Sequence, residues 1–290
     1  MAATPTPSAG HPPSTPPQSG PPRGRAGGML QRMGKGQIRH VIAVGSGKGG
    51  VGKSSVTALL AIELRRRGLS VGILDADITG PSIPKLLGMT GPLTDAGEGI
   101  EPAVSRTGIP VVSSQFMVED EQAPVIWRGP LVTRLITQFF GGVHWGSLDY
   151  LLIDMPPGTS DVPLTVFQTI PIDGMVFVLT PQDLAIMIVK KAMNMARDLH
   201  VSLLGVVENM SWILCPHCGE KISLFGPGRV ARVAEEYGVP VLSRLPLAPS
   251  ISELADRGRI DEFAGPELSA LADALVRTVD EITQHSATVL

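Results

Sequence analysis

From His40 onward, short runs rich in Val, Ile and Leu alternate with longer stretches whose apolar residues recur at helical spacing. The short runs predict strands at His40–Val44, Ser70–Leu74, Asp149–Ile153, Gly174–Leu179, Leu203–Val207 and Pro240–Leu245. The longer stretches predict helices over Ser54–Arg67, Leu184–Leu199 and Arg229–Tyr237. Strand and helix repeated in this order need a parallel sheet, because each parallel connection must cross over, and the crossover helices cover both faces. The predicted fold class is α/β, a mostly parallel sheet with helices on both faces. Ile100–Met117 breaks the rhythm: Gly108 separates two strand-like runs, which predicts a small inserted β-hairpin. No internal repeat is evident. After Pro266, the residues Leu268, Leu271, Leu275, Val279 and Ile282 share one face of a final helix. Glu267, Asp273, Asp280 and Glu281 against Arg277 make that helix acidic, so its apolar face is expected to pack on the domain and not on an anionic membrane.

The start of the chain is different. Pro5, Pro7, Pro12, Pro13, Pro16, Pro17, Pro21 and Pro22 lie among Ser, Thr, Gly and Gln, with little apolar surface to offset the entropy of ordering. Residues 1–38 are therefore expected to form a disordered or extended tail, and residues 39–290 a single domain. The tail has no apolar core of a signal peptide, and no later run reaches the roughly 20 apolar residues that span a bilayer. The expectation is a cytoplasmic protein without a membrane partner. With 24 Lys and Arg against 27 Asp and Glu, the formal net charge of -3 carries no basic footprint for nucleic acid. Cysteine occurs only at Cys215 and Cys218, which excludes a disulfide-stapled secreted scaffold and leaves a redox or metal pair.

The first strand runs into Gly47-Lys48-Gly49-Gly50-Val51-Gly52-Lys53-Ser54, which fits G-x-x-x-x-G-K-[ST] between a strand and a helix. Glycines let such a loop turn its amides toward phosphate oxygens, and the following helix N-terminus adds partial positive charge. The expected nucleotide contacts are Gly47 through Ser55. Lys53 should lie along the β- and γ-phosphates, and Ser54 should hold Mg²⁺. Asp75 and Asp77 follow the second strand and Asp154 follows Tyr150-Leu151-Leu152-Ile153, at strand ends that face the ligand crevice of open α/β sheets. Asp154 is assigned to Mg²⁺, Asp77 to orienting the attacking water, and Asp75 to supporting the metal or a dimer interface. Pro156-Pro157-Gly158-Thr159 reads as a stiff loop able to sense the γ-phosphate, with Asp161 capping the next helix. Asn209 closes a strand where its amide either meets the adenine edge or forms a turn.

Lys48 is a second lysine inside the loop, close enough to Lys53 to be repelled by it or to share its anion. The spelling K-G-G-V-G-K-S resembles the deviant Walker A group of dimeric P-loop ATPases, which includes the nitrogenase iron protein, MinD and ParA. The resemblance implies that Lys48 reaches the nucleotide of a partner subunit and acts as an arginine finger does, an effect on the order of 10³ to 10⁵ in rate. The expected catalytic set is Lys48, Lys53 and Asp77.

Cys215-Pro216-His217-Cys218-Gly219 presents two thiolates on a tight turn. Zinc sites and iron-sulfur clusters usually take four protein ligands, and the chain has no further cysteine. A second copy across a twofold axis would complete four thiolates around one [4Fe-4S] cluster. Other readings stay open: zinc completed by His217 and a carboxylate, a thioredoxin-like redox pair, and plain structural cysteines.

Read together, the loop, Asp75-Ala76-Asp77-Ile78-Thr79-Gly80-Pro81-Ser82, Trp127-Arg128-Gly129-Pro130, Asp154-Met155-Pro156-Pro157-Gly158-Thr159 and Glu208-Asn209-Met210-Ser211 before the cysteine pair resemble the Mrp/ApbC family of iron-sulfur cluster carrier ATPases. The match runs from about His40 to Phe263. It implies a P-loop NTPase fold of the SIMIBI type and a homodimer that binds Mg-ATP and holds a [4Fe-4S] cluster for transfer to apo iron-sulfur proteins, alongside cluster assembly factors. In W-R-G-P, Arg128 is expected to shape the dimer or the insertion. Two departures stand out. Thr79 takes a position where the family often has Tyr, and residues 1 to 39 lack the four-cysteine motif of the eukaryotic relatives.

Overall fold

In a computed structural model, residues 37–95, 97, 99–117, 129–159, 161–226 and 229–288 are described. The strands are β1 (Ile38–Gly45), β2 (Val71–Asp75), β3 (Thr94–Asp95), β4 (Ile100–Glu101), β5 (Ala103–Val104), β6 (Pro110–Ser113), β7 (Leu148–Asp154), β8 (Gly174–Leu179), β9 (Leu203–Glu208), β10 (Ile213–Leu214), β11 (Lys221–Ile222) and β12 (Val241–Arg244). The helices are α1 (Lys53–Arg66), α2 (Ile83–Leu86), α3 (Gly129–Gly141), α4 (Asp161–Thr169), α5 (Asp183–Asp198), α6 (Val230–Tyr237), α7 (Pro249–Asp256) and α8 (Pro266–Thr288).

Among the described residues, an 8-stranded sheet runs in the order β12-β9-β8-β1-β7-β2-β6-β5. Its pairings are parallel except at the β5 edge. Strand side chains alternate between the two faces, and both faces are covered, which is why the central strands are apolar at nearly every position. Val41 and Ala43 join Phe139 and Phe140 of α3, Met193 of α5 and Val233 of α6. Ile42 and Val44 join Leu59 and Leu60 of α1 and Leu271 and Leu275 of α8. Burying each large side chain contributes about 1.5–3 kcal/mol relative to exposure.

The predicted strands and helices are all present, within a residue or two at their ends. Ile38, the last residue assigned to the expected tail, belongs to β1 and is 3% exposed. Residues 1–36 of the expected tail, Trp127 and Arg128, and the Asp161 side chain lie outside the described residues. The hairpin around Gly108 forms as β5 and β6, but β6 also pairs with β2 and so widens the main sheet. In α8, Leu268, Leu271, Leu275 and Val279 are buried against the domain, as the acidic composition of that helix implied. No helix among the described residues is long and apolar enough to cross a membrane.

The register of the central strands builds the site. Val44 of β1 lies beside Asp154 of β7, Asp154 beside Asp75 of β2, and Asp75 beside Ser113 of β6. The two carboxylates thus reach the same sheet edge from which the glycine-rich loop leaves β1.

Candidate functional site

The glycine-rich loop turns from β1 into α1 through two left-handed glycines, Gly50 at φ 78° and Gly52 at φ 79°. A side chain at Gly52 would be strained by that φ, and its Cβ would also come within 2.3 Å of Asn209 Nδ2. Gly52 is the N-cap of α1 with no side-chain cap, and the first turn carries no acidic residue. The helix-start amides and their positive field are left for an external anion.

Behind the loop, Asp154 is fully buried and collects its neighbours. Its Oδ2 accepts from Lys53 Nζ and from Ser54 Oγ, both at 2.6 Å, and its Oδ1 accepts from Thr57 Oγ1 at 2.8 Å. Lys53 Nζ also donates to Ser54 Oγ at 3.1 Å and lies 3.9 Å from Asp77 Oδ2. Thr57 was not among the expected site residues; it stands one helical turn after Lys53, and that spacing was the available signal. A hydroxyl beside a carboxylate is the hard oxygen donor set that suits Mg²⁺, so Ser54 and Asp154 fit the assigned ion.

Asp75 is fully buried and accepts from the amides of Asp77 (3.2 Å), Ser82 (3.2 Å) and Ile83 (3.3 Å) and from Ser113 Oγ (3.0 Å). Burial, and then repulsion from Asp154, pushes its carboxyl up to about 8, against the opposing pull of Lys53, Ser113 and the Ile83 amide. Asp75 therefore braces the chain that carries Asp77. Burial also raises Asp77, with Lys53 opposing. The Pro156-Pro157-Gly158 loop lies alongside, its Gly158 amide donating to the Ser46 carbonyl at 3.0 Å.

Lys48 is outside this network: its Nζ donates to Gln182 Oε1 at 3.2 Å. Asn209 touches the loop directly, donating from Nδ2 to the Val51 carbonyl at 2.9 Å. It also lines, with Gly52, Ser55, Met210, Pro246 and Leu247, an apolar cavity of about 220 Å³.

The cysteines are elsewhere, on a two-stranded ribbon in which Ile213 pairs with Ile222 and Leu214 with Lys221. The turn closes through Cys215 N to Glu220 O and Gly219 N to Cys215 O, both 2.9 Å. The Cys218 amide, the His217 amide and the Cys218 side chain hydrogen-bond the Cys215 sulfur and lower its pKa below that of an ordinary thiol. Around the ribbon Leu214, Ile222, Leu224 and Phe225 are exposed. Among the described residues, no three His, Cys, Asp or Glu side chains are grouped to hold a metal.

A glycine-rich loop between a parallel strand and a helix, backed by strand-end carboxylates and carrying a second lysine, defines a P-loop NTPase of the deviant Walker A class. A family model described as ParA, NUBPL iron-transfer P-loop NTPase, matches residues 37–283, and the chain belongs to that family. It is 45% identical over 250 residues to an iron-sulfur cluster carrier protein of Methanocaldococcus jannaschii, covering 84% of this chain and 86% of that one. Among solved structures it resembles a nucleotide-binding protein from Archaeoglobus fulgidus in complex with ADP, at 43% identity and TM-score 0.74 over 84% of this chain and 96% of that one. The cell division ATPase MinD of Pyrococcus furiosus shares the fold, with TM-score 0.61 and 23% identity over 85% of this chain and 99% of that chain.

Proposed function

We propose that the chain is an ATP-hydrolysing iron-sulfur cluster carrier that works as a homodimer, with one [4Fe-4S] cluster as cargo held by Cys215 and Cys218 of both copies and delivered to apo iron-sulfur proteins. The observation that carries this reading is the exposed two-thiol turn, rimmed by apolar side chains and lacking further ligands among the described residues. Two such turns facing each other would supply four thiolates and bury both rims. The name of the Methanocaldococcus relative points the same way.

For hydrolysis, water attacks the γ-phosphorus and the bond to the β-phosphate oxygen breaks, giving ADP and phosphate. The loop amides and Lys53 would hold the phosphates, and half-buried Asp77 would orient the water. Mg²⁺, when bound, neutralises charge developing on the phosphate oxygens, and Ser54 and Asp154 would hold it. Lys53 now neutralises buried Asp154, so exchange of that partner for phosphate is the expected response to nucleotide. Asn209, Pro246 and Leu247 would take the adenine. Lys48, free of the Asp154 network, would act on the nucleotide of the second copy and make turnover dimer-dependent.

A MinD- or ParA-like positioning ATPase would use the same nucleotide site but has no use for the thiols. A zinc-stabilised scaffold needs ligands that a single copy does not group among its described residues. Anaerobic reconstitution with iron and sulfide, read by visible absorption and by sulfide analysis, decides among them. The expected result is one cluster per dimer in the parent protein and none in Cys215→Ser. A colourless parent protein, or a Cys215→Ser variant of undiminished colour, refutes the carrier reading; bound zinc without colour supports the scaffold.

A further inference from the structure

The cysteine ribbon and the cavity beside the glycine-rich loop are joined through both strands of the ribbon. On the β10 side, the Trp212 carbonyl accepts the Leu247 amide at 2.8 Å, and Leu247 lines the cavity. One residue earlier, the Ser211 amide donates to the Leu245 carbonyl at 2.9 Å, and Leu245 is another cavity residue. On the β11 side, Lys221 holds its ammonium 4.0 Å from the centre of the Trp212 ring and 3.7 Å from Glu267 Oε1. Glu267 also lines the cavity. Lys221 follows Glu220, whose carbonyl fixes the Cys215 amide.

These two anchors are unequal. The β10 anchor is backbone hydrogen bonding beneath a buried Trp212, continuous with Asn209 and the loop. The β11 anchor is one flexible cation lying between an aromatic face and a carboxylate, and its side chain is 60% exposed. Contacts of the second kind are modest, so their loss leaves the fold standing and frees only β11.

We propose that Lys221 is a positioning residue that couples the cavity to the cysteines: a base seated against Leu247 and Glu267 changes the hold on β10 and β11 together, and with it the exposure of the Cys215 and Cys218 thiols. This rests on the cavity being the base pocket of the proposed ATPase, and is independent of what the thiols carry. Such coupling is reciprocal, so whatever occupies the thiols shifts nucleotide affinity by the same factor.

The test is the rate of iodoacetamide alkylation of the metal-free full chain with and without Mg-ADP. Cys215 and Cys218 are the only thiols, so the signal is specific. ADP is expected to change the rate by about threefold or more in the parent protein, to leave it nearly unchanged in Lys221→Met, and to act again in Lys221→Arg, which keeps the cation. ADP affinity of Lys221→Met, measured by calorimetry, should stay within about twofold of the parent. A parent rate indifferent to bound ADP, or a Lys221→Met response equal to the parent's, overturns the coupling while the ATPase reading stands. If calorimetry finds no ADP binding to the parent protein, both fall. Failure of cluster reconstitution, by contrast, removes the cargo reading and leaves this coupling intact.

Discussion

The glycine-rich loop and the cysteine ribbon are both short turns between regular elements, yet they are finished to different degrees. Around the loop, every charged group that faces inward already has a partner: Lys53 and Ser54 on Asp154, and the Asp77, Ser82 and Ile83 amides on Asp75. The network behind the loop is complete within one chain. The ribbon offers two sulfurs, exposed apolar neighbours and no third ligand among the described residues. The difference teaches that burial within a single copy marks what the chain completes alone, whereas the unfinished donor set marks what the proposed dimer would share.

Lys48 tests that rule hardest, because it sits in the finished region and behaves like the unfinished one. It is bonded to Gln182 and not to the Asp154 network. Lys48→Ala should keep ATP affinity within a fewfold and lower steady-state turnover by about 10³, the low end of the range for a charge delivered in trans. Equal turnover in the variant would show that the loop is complete in one copy and that Lys48 is a surface residue.

Next in size is the contrast in stability. Lys53→Met strands a buried carboxylate, which costs about 3–5 kcal/mol where a buried ion pair loses one member. Cys218→Ser, at an exposed turn, should stay within about 0.5 kcal/mol of the parent protein. Chemical unfolding of both variants checks this. Comparable losses would mean that the ribbon is as integral to the single chain as the loop, and the contrast would fail.

The legible part of the molecule was the part with period. Strands covered on both faces write long apolar runs, α5, α6 and α8 show one-sided spacing, and α1, buried on nearly every side, is an apolar stretch too long for a strand, so sheet and crossover helices followed from sequence. Helices α2, α3 and α7 did not, and α4 was expected only as a helix following Asp161. In α4, Val162, Pro163, Thr165 and Thr169 are poor helix formers, and packing of Val166 on the sheet overrides their propensity. In α7 no residue is fully buried, so there was no stripe to read. The loop, Asp154 and the cysteine turn announced themselves as contiguous motifs. Thr57, Ser113 and Gln182 did not, since a lone hydroxyl or amide acquires its role only when the sheet register brings its partner alongside. Asp75 was legible as a site residue, but its role as a brace for the Asp77 chain appears only once the donors around it are located.

Asp75 gives the finest test of the finished region. Burial and Asp154 raise its carboxyl from 3.8 to about 8, so between those values the folded protein retains a proton that the unfolded chain releases. The native state then binds more protons than the unfolded state, and stability must fall as pH rises across that window and level off above about 8. One such group contributes a slope of at most about 1.4 kcal/mol per pH unit. Asp75→Asn removes this group's titration and should make the curve shallower, leaving the contribution of Asp77, which burial also raises, at a cost near neutrality of about 1 kcal/mol for the backbone or Ser113 donor left with a weaker acceptor. Urea midpoints measured from pH 5 to pH 9 separate the outcomes. If parent and variant slopes coincide, the four donors hold Asp75 ionised in the folded state, and the strand-end carboxylates form a charged pair offset by Lys53 alone. If the parent slopes downward more steeply than the variant, Asp75 is protonated in the folded site, which then carries one formal negative charge fewer than its residues suggest, and the field met by an incoming phosphate is correspondingly more positive.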